Sequence, residues 1–193
     1  MPKTIAFLFS GRIESPTNLA LLAGMDALDK SEYRPIALVE DMNGDFAKRL
    51  QKQKLTIVPF QLKCPVDPTA SRLKGAWQTF RNSIMVLMLV KQFQIDCVVS
   101  AEMELTLAFS PGVYAARKKI IWMQESLWED YPIAELWSGY MGGLFVSSEK
   151  VLKSIPYSLQ YHAKVLEPPP FEQALKNKKI AKNYMEALFK DCN

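Results

Sequence analysis

The chain has 193 residues, 49% of them hydrophobic, and a formal charge of +4. That length supports one well-cored domain with an appendage, and that apolar share excludes a disordered chain. Charges of both signs are interspersed, which argues against the concentrated basic stripe of a nucleic-acid binder, and no apolar run approaches the roughly 20 residues that span a bilayer.

The first unit sets the pattern. Residues 5–9 (IAFLF) form a short unbroken apolar run, as expected of a strand buried on both faces. Residues 10–15 break it with a glycine and alternating charges. Ser15 followed by Pro16 predicts an N-cap with proline at the first helical position, and Leu21, Leu22, Met25 and Leu28 then recur at helical spacing. Residues 34–40 (RPIALVE) are a second strand, Asn43-Gly44 a turn, and residues 46–53 a short polar helix. Residues 55–60 (LTIVPF) make a third strand, which Pro59 ends or places near an edge.

A loop with Cys64-Pro65 and Asp67-Pro68 leads to a long helix over residues 69–93. Leu73, Trp77, Phe80, Ile84, Leu87 and Val90 line one side of it. With Arg72, Lys74 and Arg81 beside it, the stripe fits either a core face or a peripheral membrane contact. The expected reading is core.

Residues 95–100 (IDCVVS) are a fourth strand, 102–117 a helix interrupted near Ser110-Pro111-Gly112, and 120–124 (IIWMQ) a fifth strand. A helix over 133–140, a strand over 143–147, a capped helix over 148–154 and a last strand over 164–167 follow. Pro168, Pro169 and Pro170 form a stiff spacer before a lysine-rich helix over 171–190, with Ala174, Ala181, Tyr184, Met185 and Leu188 on one side. Strands alternating with helices predict an α/β, Rossmann-like three-layer sandwich with a mainly parallel sheet of six or seven strands. The domain expected is residues 1–167, with 168–193 as spacer and amphipathic helix.

Cys64, Cys97 and Cys192 are scattered, which predicts reduced thiols and a cytoplasmic protein without a signal peptide. His162 is the only histidine, so neither a histidine-based triad nor a metal cluster is expected. Candidate ligand-binding residues lie in the loops after the strands. In the first loop, Gly11 admits a ligand to the backbone and the helix N-terminus, with Asn18 in its first turn, favours an anion, unless Arg12 and Glu14 are simply solvated in a plain turn. After the fourth strand, Glu102 and Glu104 either accept ligand hydroxyls or form the acidic first turn of the next helix. After the fifth, within residues 124–130, Gln124, Glu125 and Trp128 suit sugar recognition, or Trp128 and Tyr131 cover the domain edge. No residue is assigned a catalytic role.

Taken in order, IAFLFSGRIESPTNLALLAGMDAL (5–28), IDCVVSAEME (95–104), IIWMQES (120–126) and GLFVSSEKVLKSI (143–155) with KVLEPPPF (164–171) resemble the N-terminal half of a family 4, GT-B-type glycosyltransferase. In that family the N-terminal domain binds the acceptor and the C-terminal domain a nucleotide sugar, and transfer occurs between them without a metal. The resemblance implies that Gly11 lies near the donor's phosphates and that residues 100–104 with Gln124-Glu125 face a sugar or glycan acceptor. It implies no cofactor beyond the nucleotide-sugar donor. The sequence departs from the family where a histidine often follows the fourth or fifth strand, and no donor-binding half follows residue 171. The last helix resembles either a stub of that half or a C-terminal helix crossing back. The expectation is an acceptor half, inactive alone, that works with a donor-binding domain or partner chain. The other expectation is a non-catalytic Rossmann-like binding module that keeps the fold for polyol, nucleotide or protein recognition, which a cleft face packed against a second copy would favour.

Overall fold

The apolar runs are strands of one sheet covered on both sides, and their side chains alternate between two cores. In β1 (Lys3–Phe9), Ile5, Phe7 and Phe9 enter one core while Ala6 and Leu8 enter the other. The computed structural model describes residues 2–129 and 131–190, so Asp130 and Cys192 lie outside the described residues. Strands β1, β2 (Tyr33–Val39), β3 (Thr56–Pro59), β4 (Ile95–Ser100), β5 (Lys119–Gln124), β6 (Gly143–Val146) and β7 (Ala163–Val165) pair in parallel throughout. Their order is β3-β2-β1-β4-β5-β6-β7. This is the expected Rossmann-like α/β architecture.

One face of the sheet is covered by α1 (Pro16–Ala27), α2 (Asp45–Gln51) and α9 (Lys178–Phe189). Ser15 caps α1 as predicted, its hydroxyl accepting the Asn18 N–H at 3.1 Å. On the other face α3 (Arg72–Gln92), α4 (Met103–Ala115) and α5 (Pro132–Ser138) cover the core, with α6 (Glu149–Ser154) and α7 (Tyr157–Gln160) near the β7 end. Helix α7 is a single turn, too short to carry a periodic pattern. The C-terminal helix predicted over 171–190 is two helices, α8 (Phe171–Lys176) and α9, because Asn177 leaves helical geometry and its side chain caps the Lys179 N–H.

Two expectations are corrected. Helix α4 runs unbroken through Pro111. The Thr106 and Ser110 hydroxyls bond the carbonyls of Glu102 and Thr106, and packing along α3 carries the helix past the missing proline N–H. Of the α3 stripe only Val90 joins the core. Leu73, Trp77, Phe80 and Ile84 point outward, while Gly75, Thr79, Asn82, Val86 and Val90 are buried and Leu87 is half-buried. Small and polar residues face inward here because α3 lies close against α4 and the 63–64 loop.

That close approach generates a prediction. A methyl group at Gly112 would sit 2.6 Å from Val86 Cβ and 2.8 Å from the Ser83 carbonyl oxygen. Gly112→Ala removes glycine's helix penalty of about 1 kcal/mol, yet overpacking of about 1–3 kcal/mol outweighs it. Thermal denaturation is expected to show a lowered Tm; a raised one would mean that α3 and α4 part freely.

Candidate functional site

The winding of the sheet reverses between β1 and β4. From β1 the chain proceeds outward to β2 and β3, then returns to place β4 on the other side. A crevice opens outside the carboxyl ends of strands at such a point, and doubly wound sheets bind ligands there. The loops after β1, β4 and β5 all converge on it.

Glu102 stands at the centre. It is the N-cap residue of α4 and is buried, with 6% of its surface exposed. Its Oε1 accepts the Ser10 backbone N–H at 2.9 Å and the Asn18 side-chain amide at 3.1 Å. Asn18, the second residue after Pro16 in α1, also donates to the Ile13 carbonyl at 3.0 Å. Burial pushes the Glu102 carboxyl above its ordinary value; the bonds from Ser10 and Asn18 oppose that shift, and the nearby Glu104 charge adds to it. Beside this link, Asn18 Oδ1 and Thr17 Oγ1 are buried without a hydrogen-bond partner among the described residues. The sequence carried no sign of Thr17, because its hydroxyl lies in the capped first turn of an otherwise apolar helix.

A cavity of about 480 Å³ adjoins Glu102. Glu102, Glu104, Gln124, Glu125, Glu129 and Tyr131 line it. Among its described lining residues there is no lysine, arginine or histidine. Burial, and after it the Glu129 charge, raises the Tyr131 phenol. Gln124 is buried and its amide donates to the Ser126 carbonyl at 2.9 Å and hydroxyl at 3.1 Å, which fixes the strand-end turn. Glu125 Oε1 accepts the Thr17 N–H at 3.4 Å. Thr69, from the loop before α3, also lines the cavity, a neighbour that no local sequence pattern announces.

The remaining predicted residues are placed apart from this cavity. Gly11 has φ +84°, and a Cβ there would lie 2.1 Å from the Asp41 carbonyl oxygen, so contact with the loop after β2 demands glycine. Arg12 pairs with Asp41 at 2.9 Å, and the Asn43 N–H followed by Arg12 holds that carboxyl below its ordinary value. Glu14 pairs with Arg49 of α2 at 2.8 Å. Trp128 packs between Trp122 and Tyr131, with ring centroids at 5.7 and 5.3 Å. Arg12 lines two adjoining depressions, of about 360 and 560 Å³, the first of which it shares with Glu102 and Glu104. The structure thus gathers Asn18, Glu102, Glu104, Gln124 and Glu125 and sets Gly11, Arg12, Glu14 and Trp128 around them.

No protein-family model matches the chain, and no curated protein matches it in sequence. Solved structures do match its fold. MurG of Acinetobacter baumannii has a TM-score of 0.62 at 13% identity, over 88% of this chain and 47% of its own. HepE of Anabaena, in complex with UDP, has a TM-score of 0.61 at 10% identity, over 86% and 44%. The UDP-GlcNAc 2-epimerase of Neisseria meningitidis, bound to UDP-GlcNAc, has a TM-score of 0.56 at 15% identity, over 98% and 54%. The chain spans about half the length of these proteins. At such identities the likeness is one of fold, a Rossmann-like unit of the GT-B type.

The buried carboxylate yields a pH test. Glu102 is raised above its ordinary value of 4.5, so the folded chain holds its proton longer than the unfolded chain does. The stabilising contribution is complete below pH 4.5 and is lost as pH rises through the folded-state value. Glu102→Gln stays neutral and keeps an oxygen for Ser10 and Asn18. Its Tm is expected to match the parent's below pH 4.5 and to exceed it at neutral pH, by roughly 2–4 °C for each kcal/mol. A parent more stable than the variant at neutral pH would show that the site favours the charged carboxylate.

Proposed function

We propose that this chain is the acceptor-binding half of a glycosyltransferase of the family 4 kind, taking a hydroxyl-rich sugar or glycan at the crevice beside Glu102. The observation that supports it is the lining itself: Glu102, Glu104, Glu125 and Glu129 with Gln124, and no cation among the described residues. Carboxylates accept hydrogen bonds from sugar hydroxyls, two oxygens each. The same lining repels a diphosphate. Arg12, the nearest cation on the neighbouring rim, is already engaged by Asp41.

The donor's phosphates then need cations from a second domain or a partner chain, and the neighbours of known structure are about twice as long. Transfer requires donor and acceptor to be held in reacting geometry, which half a cleft does not do. The fold neighbours include proteins solved with UDP and with UDP-GlcNAc, and this lends weight to a nucleotide-sugar donor.

Calorimetric titration of the 193-residue chain separates the parts of this reading. Neutral mono- and disaccharides are expected to include one that binds saturably, and Glu104→Gln to weaken it about tenfold, the worth of one hydrogen bond to a charged group. UDP and UDP-GlcNAc are expected to give no saturable heat. Tight UDP binding that Glu104→Gln leaves unchanged would overturn the assignment of the crevice to the acceptor, and sugar transfer by the chain alone would overturn the half-site.

A further inference from the structure

The outward face of α3 takes no part in the crevice or the core. Leu73, Trp77, Phe80, Ile84 and Met88 recur at steps of four, three, four and four, so they stack along about 22 Å of one helix side. Their exposures are 86, 62, 64, 65 and 64%, and none of the described residues covers them. Soluble monomers rarely present so continuous an apolar strip unless something binds it.

The helix is held in this rotation. On its opposite side Asn82, fully buried, accepts the Lys63 and Cys64 N–H groups at 2.9 and 3.2 Å and donates to the Cys64 carbonyl at 2.8 Å. Val86 seats against Gly112 and Gly75 against Ile133. Turning the strip inward would break the Asn82 bonds and drive bulky side chains into α4.

Charge says what covers the strip. Arg72, Lys74, Arg81 and Lys91 lie on α3, which has no aspartate or glutamate. The acids near it come from other segments: Glu135 meets Arg72 at 3.4 Å, and Asp67 lies near Lys74. Arg81 follows Trp77 by one turn. A second copy docked face to face would oppose these cations to their own kind. An anionic lipid surface instead accepts both the cations and an indole at headgroup depth. None of the described helices is long and apolar enough to cross a membrane, so the contact is one of lying on the surface.

We propose that the outer face of α3 docks the protein on an anionic membrane surface, with Trp77 and Phe80 inserted and Lys74 and Arg81 on the headgroups. The proposal stands on this helix and does not depend on the reading of the crevice. The test is flotation of the 193-residue chain with vesicles of phosphatidylcholine, alone or mixed with phosphatidylserine. The chain is expected to float with the mixed vesicles, to release as salt is raised, and to shift its fluorescence to the blue. Trp77, the one strongly exposed tryptophan of four, carries that shift, so Trp77→Ser removes it. Phe80→Ser is expected to lower partitioning at least tenfold with an unchanged circular dichroism spectrum, and Arg81→Glu to erase the preference for anionic vesicles. Failure to float, or equal binding to both vesicle types, would overturn the proposal. So would a dimer in sedimentation that Phe80→Ser disperses, since a second copy would then be the occupant.

Discussion

Glu102 is buried where the sheet changes its winding direction, and one of its oxygens is shared by the Ser10 N–H and the Asn18 amide. These bonds join positions 92 and 84 residues apart in sequence. They tie the loop after β1 and the first turn of α1 to the start of α4. A carboxylate out of water is costly unless it is hydrogen-bonded, so the two donors are conditions of its being there at all. The loop after β1 is held a second time by Gly11, whose carbonyl accepts the Ala47 N–H at 3.0 Å and whose missing side chain makes room for Asp41. The floor of the crevice is therefore fixed by tertiary bonds between loops, and Glu104 and Glu125 stand on it.

Electrostatics divide the surface around that floor. The crevice is lined by carboxylates, whereas α3 is wholly basic in its own charges. Topology relates the two: α3 leaves the carboxyl edge of β3, where Thr69 lines the crevice, and runs back to the amino end of β4. The crevice and the outer face of α3 share no residue and differ in the sign of their charges.

The layout of the fold was legible because strands buried on both faces leave unbroken apolar runs, and the 5–9, 95–100 and 120–124 runs fall within β1, β4 and β5. Apolar character does not mark the buried side of α3, where glycine, threonine and asparagine share the inner face with Val86 and Val90. Pro111 misled in the other direction, since local propensity yields to packing along a neighbouring helix. In the site, strand ends directed attention to Glu102, Glu104, Gln124 and Glu125, but a bond from Asn18 to Glu102 has no local signature. Trp128 illustrates the limit: a tryptophan beside acids reads equally as a platform or as cover, and its stacking on Trp122 and Tyr131 has no local signature.

The C-terminal helix bears on the site from behind. Met185 of α9 fills the space beside Gly24 of α1, so the helix that presents Thr17 and Asn18 is pressed between the sheet and α9. Tyr184 of the same helix donates its hydroxyl to Met123 Sδ at 3.5 Å, one residue before Gln124, and burial with the Glu125 charge raises its phenol well above the ordinary range. The chain's last helix thus supports two of the three loops that build the crevice. The geometry of those loops depends on residues more than 60 positions away from Met123 and more than 160 from Asn18 in sequence, and this is why the final lysine-rich segment belongs in any account of what the crevice binds.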